Sequence, residues 1–225
     1  MSDFLTNLGD SLLQDDKENV RKLLKSPDKN NVKLNDPQLV KALLSYEDNQ
    51  IITSASETIA EWAKADHNRI ILAEKEIIDL LLNLLESDEH IVLNVVRALG
   101  NICYENELAT KILNKEGLEK ILTLFYELKQ DNSMLLLAKI SGLLLNIFIS
   151  NEDLQFIDKN ELLGHISLIL SDHTKISSDE FCLYSYLLQI VYTLLVEYDH
   201  QVIYSEKLHR KVIDILKSQT CLSWN

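Results

Sequence analysis

Apolar residues in this chain recur at helical spacing, in stretches separated by short polar breaks. Residues 76–106, EIIDLLLNLLESDEHIVLNVVRALGNICYEN, hold an apolar stretch, a polar break and then a longer apolar stretch. Residues 117–151 and 161–199 repeat the plan. A degenerate earlier copy covers 36–66, and a last half copy reads KLHRKVIDILKS over 207–218. The pattern predicts a short, a medium and a long helix in each copy. The short ones lie in DHNRIILAEK, NELATKILNKEG and EDLQFIDKNE.

One polar position inside each long helix fixes the register: Glu61, Asn101, Asn146 and then Thr193. The steps are 40, 45 and 47 residues, a period that belongs to armadillo or HEAT arrays rather than to shorter repeats. Three helices per copy favour armadillo over the two-helix unit. The expected fold is therefore all-α, a right-handed armadillo superhelix. It would have N-terminal capping helices and a loop over 1–35, about four repeats and a partial unit over 36–218, and a tail over 219–225.

The long helices are apolar on most sides, but each keeps a polar stripe of residues four apart. The stripes are Thr53, Glu57, Glu61; Arg97, Asn101, Glu105; Gly142, Asn146, Ser150; and Ser185, Gln189, Thr193. Stacked repeats bury their flanks and leave one face open, so these stripes are expected to line a partner-binding groove. The residues chosen as its binding set are Glu57, Glu61, Arg97, Asn101, Glu105, Asn146, Gln189 and Thr193. A central Asn there suits the backbone of an extended peptide or of a neighbouring repeat, and the sequence leaves both open.

Composition narrows the partner. The chain has 225 residues, 22 Lys+Arg against 35 Asp+Glu, and a formal net charge of −13. Such a surplus repels phosphate backbones and favours a basic partner over nucleic acid. With only 5 Gly and 2 Pro, an all-β fold lacks its turns. The acids are unevenly placed. Between Ile140 and Glu206 ten acids face two bases, Lys159 and Lys175, mostly on helix starts and links rather than on the stripe.

Other chemistry is thin. The six histidines show no HxxxH spacing, and no phosphate-binding glycine loop or nucleophile elbow occurs, so neither a metal, a cofactor nor an enzyme activity is expected. Acidic pairs such as Asp88-Glu89 and Asp179-Glu180 sit at predicted helix starts. Cys103 and Cys182 are assigned to apolar faces, and the LLNLL run (81–85) to the core of its repeat. The longest uncharged run, Phe181 to Val196, is too short to span a bilayer and is expected to be a buried helix. Three widely spaced cysteines and an acidic N-terminus point to a cytosolic protein without membrane insertion, expected as a monomer. Phe4, Leu5, Leu8, Leu12 and Leu13 are expected to seal the first repeat, and Pro37 to open a helix. At the other end, the apolar face of residues 212–216 predicts either a piece of a longer array or a short form capped by Trp224.

RALGNICYEN (97–106), with IAEWAKADHNRI (59–70) and SGLLLNIFISNEDLQFI (141–157), resembles the armadillo repeats of the small-GTPase GDP dissociation stimulator family. The similarity fades but stays aligned through 182–217, and it covers the N-terminal part of the family's longer array. It implies binding of Rho- and Rap-type GTPases through a polybasic, prenylated C-terminus, a chaperone-like escort role, and stimulated guanine nucleotide exchange. Glu61 and Thr193 stand where the family pattern has Asn, and the later repeats thought to carry exchange are missing. The alternative is a non-catalytic armadillo scaffold or truncated product with other protein partners. An importin-like peptide binder is disfavoured, because Glu57, Arg97, Gly142 and Gln189 stand where such a groove places Trp.

Overall fold

A computed structural model describes residues 4–26, 32–128, 134–150, 157–171 and 181–196, and all regular structure among them is helical. The half copy at 207–218, Trp224, Pro27 and the pair Asp179-Glu180 lie outside the described residues. The chain divides into two compact units, Met1–Glu127 and Leu128–Asn225.

The first unit contains α1 (Phe4–Leu13), α2 (Lys17–Leu24), α3 (Pro37–Leu44), α4 (Asn49–Trp62), α5 (Asp66–Leu72), α6 (Lys75–Asn83), α7 (Glu89–Cys103) and α8 (Glu107–Glu127). Acids start many of these helices. Asp16, Asp36, Asp48 and Asp88 each accept a backbone N–H from the first turn of α2, α3, α4 and α7, at 2.8–3.2 Å. Each such cap contributes about 1 kcal/mol by satisfying an orphan donor at the positive end of the helix dipole. Part of the acid surplus thus serves the fold. Pro37 opens α3, where its missing N–H costs no hydrogen bond.

Two columns of helices stack in this unit. One runs α1, α3, α6, α8, and the other runs α2, α4, α7. The N-terminal pair α1–α2 therefore continues both columns as a degenerate repeat. Leu8, Val20 and Leu24 are fully buried, and the Phe4 ring meets Trp62 edge-on at 6.5 Å. Leu13, expected in this seal, is 88% exposed at the end of α1. Leu81, Leu82 and Leu85 are buried, as assigned to the core of their repeat.

The expected break between a short and a medium helix occurs once and fails once. α5 and α6 are separate, but α8 runs unbroken for 21 residues through Gly117. Gly117 is buried and has no positive φ. A Cβ there would stand 2.8 Å from Leu82 Cδ1, so this glycine permits close approach to α6 instead of ending a helix.

An extended segment precedes α3, with Val32 and Leu34 buried. Asn68 of α5, only 1% exposed, holds it: its Oδ1 accepts from the Leu34 N–H at 2.8 Å, and its Nδ2 donates to Val32 O at 3.0 Å. The same Nδ2 donates to Trp62 O, also at 3.0 Å.

The second unit contains α9 (Met134–Ser150), α10 (Lys159–Ser171) and α11 (Phe181–Val196). Asp158 caps α10 by accepting from Asn160 and Glu161 N–H groups at 2.9 and 3.1 Å. α9 and α11 pack together, and Gly142 makes room for this: a Cβ there would lie 3.2 Å from the Tyr186 ring. α11 matches the uncharged run, but it is buried on one side only. Phe181, Cys182, Gln189 and Tyr192 are exposed. The assignment of Cys182 to the core is thereby corrected, whereas Cys103 is buried and desolvation pushes its thiol up to about 12. Among the described residues no helix is long and apolar enough to cross a membrane.

Asn68→Ala is expected to cost about 2–4 kcal/mol in urea unfolding, since two carbonyls and an N–H lose their partner inside the protein. A near-neutral result would show that the 32–34 segment is not held by this side chain.

Candidate partner-binding face

The predicted set divides between the units: Glu57, Glu61, Arg97, Asn101 and Glu105 in the first, Asn146, Gln189 and Thr193 in the second. In the first unit α4 and α7 lie side by side and bring four of them onto neighbouring helices. Arg97 Nη2 donates to Glu61 Oε1 at 2.7 Å, with both side chains 28% exposed. Lys64 donates to the other Glu61 oxygen. Arg97 Nη1 also bonds Asn94 Oδ1 at 2.9 Å. The Lys64 hydrogen bond, with the charge of Arg97, holds the Glu61 carboxyl below the usual carboxylate range. Glu61 is thus an internal counter-ion, which changes the expectation that it waits for a partner's lysine. Glu57, one turn earlier on α4, is exposed.

Asn101 makes one of the two contacts that the sequence left open, the one with the neighbouring repeat. Its Nδ2 donates to Ala60 O, in the last turn of α4, at 2.9 Å. Lys64 N–H turns to Glu61 O at 3.2 Å, so the Ala60 carbonyl is one of the C-terminal acceptors that a helix leaves unfilled. Asn101 and Asn68 together seal the C-terminus of α4. The sequence reading missed Asn68, which stands in the polar run Asp66–Arg69 and so looks like an ordinary surface residue.

Two stripe positions fall off the open helix face. α7 ends at Cys103, so Glu105 lies beyond it, with φ of 48° in the left-handed region. It accepts a hydrogen bond from Tyr104, which raises the Tyr104 phenol pKa. Arg69 sits over the Tyr104 ring, 5.4 Å from its centroid. Thr193 is buried in α11, while the adjacent Tyr192 is 67% exposed. Residues four apart advance about 400°, so a stripe of three drifts roughly 80° around the helix. That drift carries Thr193 under the surface. Asn146 is half-buried on α9. Gln189 is exposed, and its Nε2 donates to Ser185 O and Oγ, both at 3.2 Å.

An acid-rich concavity lies elsewhere in the first unit. A cavity of about 370 Å³ opens between the turn after α6 and the second half of α8. Leu85 and Leu124 give it apolar surface, and Glu86, Glu116, Glu119 and Glu127 line it with Lys120. Lys115 reaches Glu119 at 3.5 Å, and Lys120 reaches Asn83 Oδ1 at 3.4 Å. The helical spacing of Glu116, Glu119, Thr123 and Glu127 was visible in the sequence, but on the medium helix rather than the long one. A smaller cavity of about 250 Å³ borders Glu61, Trp62, His67 and Asn68.

Glu105→Gly is expected to stabilise the protein by about 1 kcal/mol, because glycine occupies the left-handed region without a Cβ clash. Asn101→Ala is expected to cost about 1 kcal/mol or more. The Glu61 contribution is present above the ordinary carboxylate pKa and is lost as pH falls through its lowered value. Glu61→Gln should therefore flatten the acid limb of a stability-against-pH curve. An unchanged limb would mean that the Arg97–Glu61–Lys64 group adds nothing to folding.

No family model matches the chain. Two crystal structures of engineered proteins from the Northeast Structural Genomics Consortium resemble it in fold. One has a TM-score of 0.63 at 19% identity, covering 97% of this chain and 98% of that one. The other has a TM-score of 0.60 at 16% identity, covering 100% and 99%. The all-α solenoid expected from the sequence agrees with this likeness. Among curated proteins, Rap1 GTPase-GDP dissociation stimulator 1-B of Xenopus laevis is 32% identical over 108 residues, and 1-A of the same species is 33% identical over 108. Each match covers 46% of this chain and 18% of the relative. The chain thus resembles the Rap1 GTPase-GDP dissociation stimulators at family level, while matching less than a fifth of their length.

Proposed function

We propose that this chain is a regulator of small GTPases that acts by binding. The observation that carries the reading is the 108-residue similarity to proteins named for dissociating GDP from the Rap1 GTPase. Exchange of this kind needs no catalytic side chain. A protein that binds the nucleotide-free GTPase more tightly than the GDP form lowers GDP affinity by the same factor. Partners of Rho or Rap type, a chaperone-like escort role and a cytosolic location belong to the same proposal.

The polybasic tail of such a GTPase would meet acid in the first unit. The cleft lined by Glu86, Glu116, Glu119 and Glu127 offers negative charge beside apolar surface. Glu57 and Glu105 are also exposed on this unit. Glu61 is taken by Arg97 and Lys64, so a tail lysine would have to displace one of them. Binding through exposed charges weakens as salt rises. A scaffold that holds GTPases or other proteins without promoting exchange is the second reading, favoured by the small share of the relatives that is matched.

Capture of GDP-loaded Rap- and Rho-type GTPases on the immobilised chain tests the reading. Deleting the basic tail, or combining Glu119→Lys with Glu127→Lys, is expected to weaken capture about tenfold or more. Release of a fluorescent GDP analogue separates exchange from simple binding. Capture that survives tail deletion undiminished rejects the tail mechanism, and no capture of either type rejects the GTPase assignment.

A further inference from the structure

The short loop between α3 and α4 is pinned to the turn between α1 and α2. The Tyr46 hydroxyl donates to the Asp15 carboxylate at the protein surface. Lys17 Nζ lies over the same ring, 5.9 Å from its centroid. One turn along α2, Arg21 donates to Asp48 at 2.5 Å, and Asp48 itself caps α4. Asp15 stands at φ 52°, in the left-handed region that a residue with a Cβ rarely adopts. The Tyr46 bond therefore helps to hold a strained turn in place. The α1–α2 pair secured in this way buries Leu8, Val20 and Leu24 and sets Phe4 edge-on against Trp62, which is 2% exposed.

Tyr46 is half-buried, between exposed Ser45 and exposed Glu47. Glu47 and Asp48 follow it, so the loop offers an acidic stretch to an enzyme with a basic peptide groove. The hydrogen bond to Asp15, with desolvation, pushes the phenol up to about 12. A tyrosine kinase needs that oxygen free, so phosphoryl transfer has to catch the pin locally open. The phenolic oxygen then bonds the γ-phosphorus of ATP, and the bond from that phosphorus to the β–γ bridging oxygen breaks. ADP leaves, and the phenolic proton passes to the kinase's base. The modified pin cannot close again. The ester oxygen has no proton to donate, and the phosphate would have to occupy the place of the Asp15 carboxylate. Its added charge, about −1.5 to −2 at neutral pH, also faces Asp15 and Asp48. Arg21 is already engaged by Asp48, which leaves Lys17 over the ring as one cation against two carboxylates. Tyr104 is exposed as well, but its hydroxyl bonds the adjacent Glu105, so a phosphate there would separate no two elements.

We propose that Tyr46 is a phosphorylation site, and that a phosphate there releases the α1–α2 pair from the first repeat. Release uncovers Trp62 and the faces of α3 and α4 on which the pair packs. The inference is independent of the GTPase reading, because it concerns the N-terminal end of the stack and not the acidic cleft.

The test uses the full chain with Trp224→Phe, which leaves Trp62 as its one tryptophan. It is incubated with ATP and each of two unrelated tyrosine kinases, and the products are mapped by mass spectrometry. Phosphate is expected on Tyr46. Amide hydrogen exchange over residues 4–24 is then expected to accelerate about tenfold, with α7 unchanged. Trp62 emission is expected to move to longer wavelength, and a tyrosine phosphatase to restore both signals. Tyr46→Phe is expected to show no change on the same treatment, which ties the effect to this residue. The inference is overturned if neither kinase adds phosphate to Tyr46, or if Tyr46→Phe responds like the parent chain. It is equally overturned if phosphate on Tyr46 leaves exchange over residues 4–24 unchanged, or slows it because Lys17 and Arg21 hold the new group. Acceleration that spreads to α7 would mean global unfolding and would overturn it too.

Discussion

The first unit depends on the sealing of one helix end. A helix leaves its last carbonyls without internal partners, and α4 ends where three other segments meet it. Asn101 arrives from α7, Asn68 from α5, and Asn68 then reaches on to the extended backbone at Val32 and Leu34. Two amide side chains therefore tie successive repeats, and the N-terminal extension, to the same helix end. Apolar stacking supplies the bulk of the stabilisation, but it is nondirectional. The amides fix which turn of α7 lies beside which turn of α4. Arg97 on Glu61 adds a second register mark one turn away.

Charge in this protein has more uses than a net total shows. Five aspartates, at 16, 36, 48, 88 and 158, cap helices. Glu61 balances two internal cations. Lys41 bonds both Glu74 and Glu76, whose hydrogen bonds raise its pKa. What remains for a partner is localised. The α8 cleft concentrates glutamates around apolar surface, while the open face of α11 carries no charge.

Much of the architecture was legible in the sequence because stacking imposes a period. The long helices, the helix start at Asp88 and the stacking of α7 on α4 follow from apolar spacing and capping residues alone. What was not legible depended on geometry between elements. Gly117 reads as a break, yet it is a point of close approach to Leu82. A stripe drawn every fourth residue ignores the drift of the 3.6-residue turn, and so it included Thr193, which is buried. Glu105 was counted on a helix that stops two residues earlier. Asn68 carries no periodic signal, because its partners lie 34 and 36 residues away. Asn101 was read as a polar position of the long helix, and its contact with the Ala60 carbonyl is set by the neighbouring helix.

The unbroken α8 has a mechanical consequence. Twenty-one residues make a rod about 31 Å long, with no joint where the repeat plan would put one. Its N-terminal half stands in the place of a short connector, and its C-terminal half forms a wall of the acidic cleft. A tilt of only about 5° about one end would displace the other by roughly 3 Å, on the geometry of a straight helix of that length. Force applied at the cleft is thereby carried as leverage to the α7–α8 turn at Glu105, rather than being absorbed at a hinge.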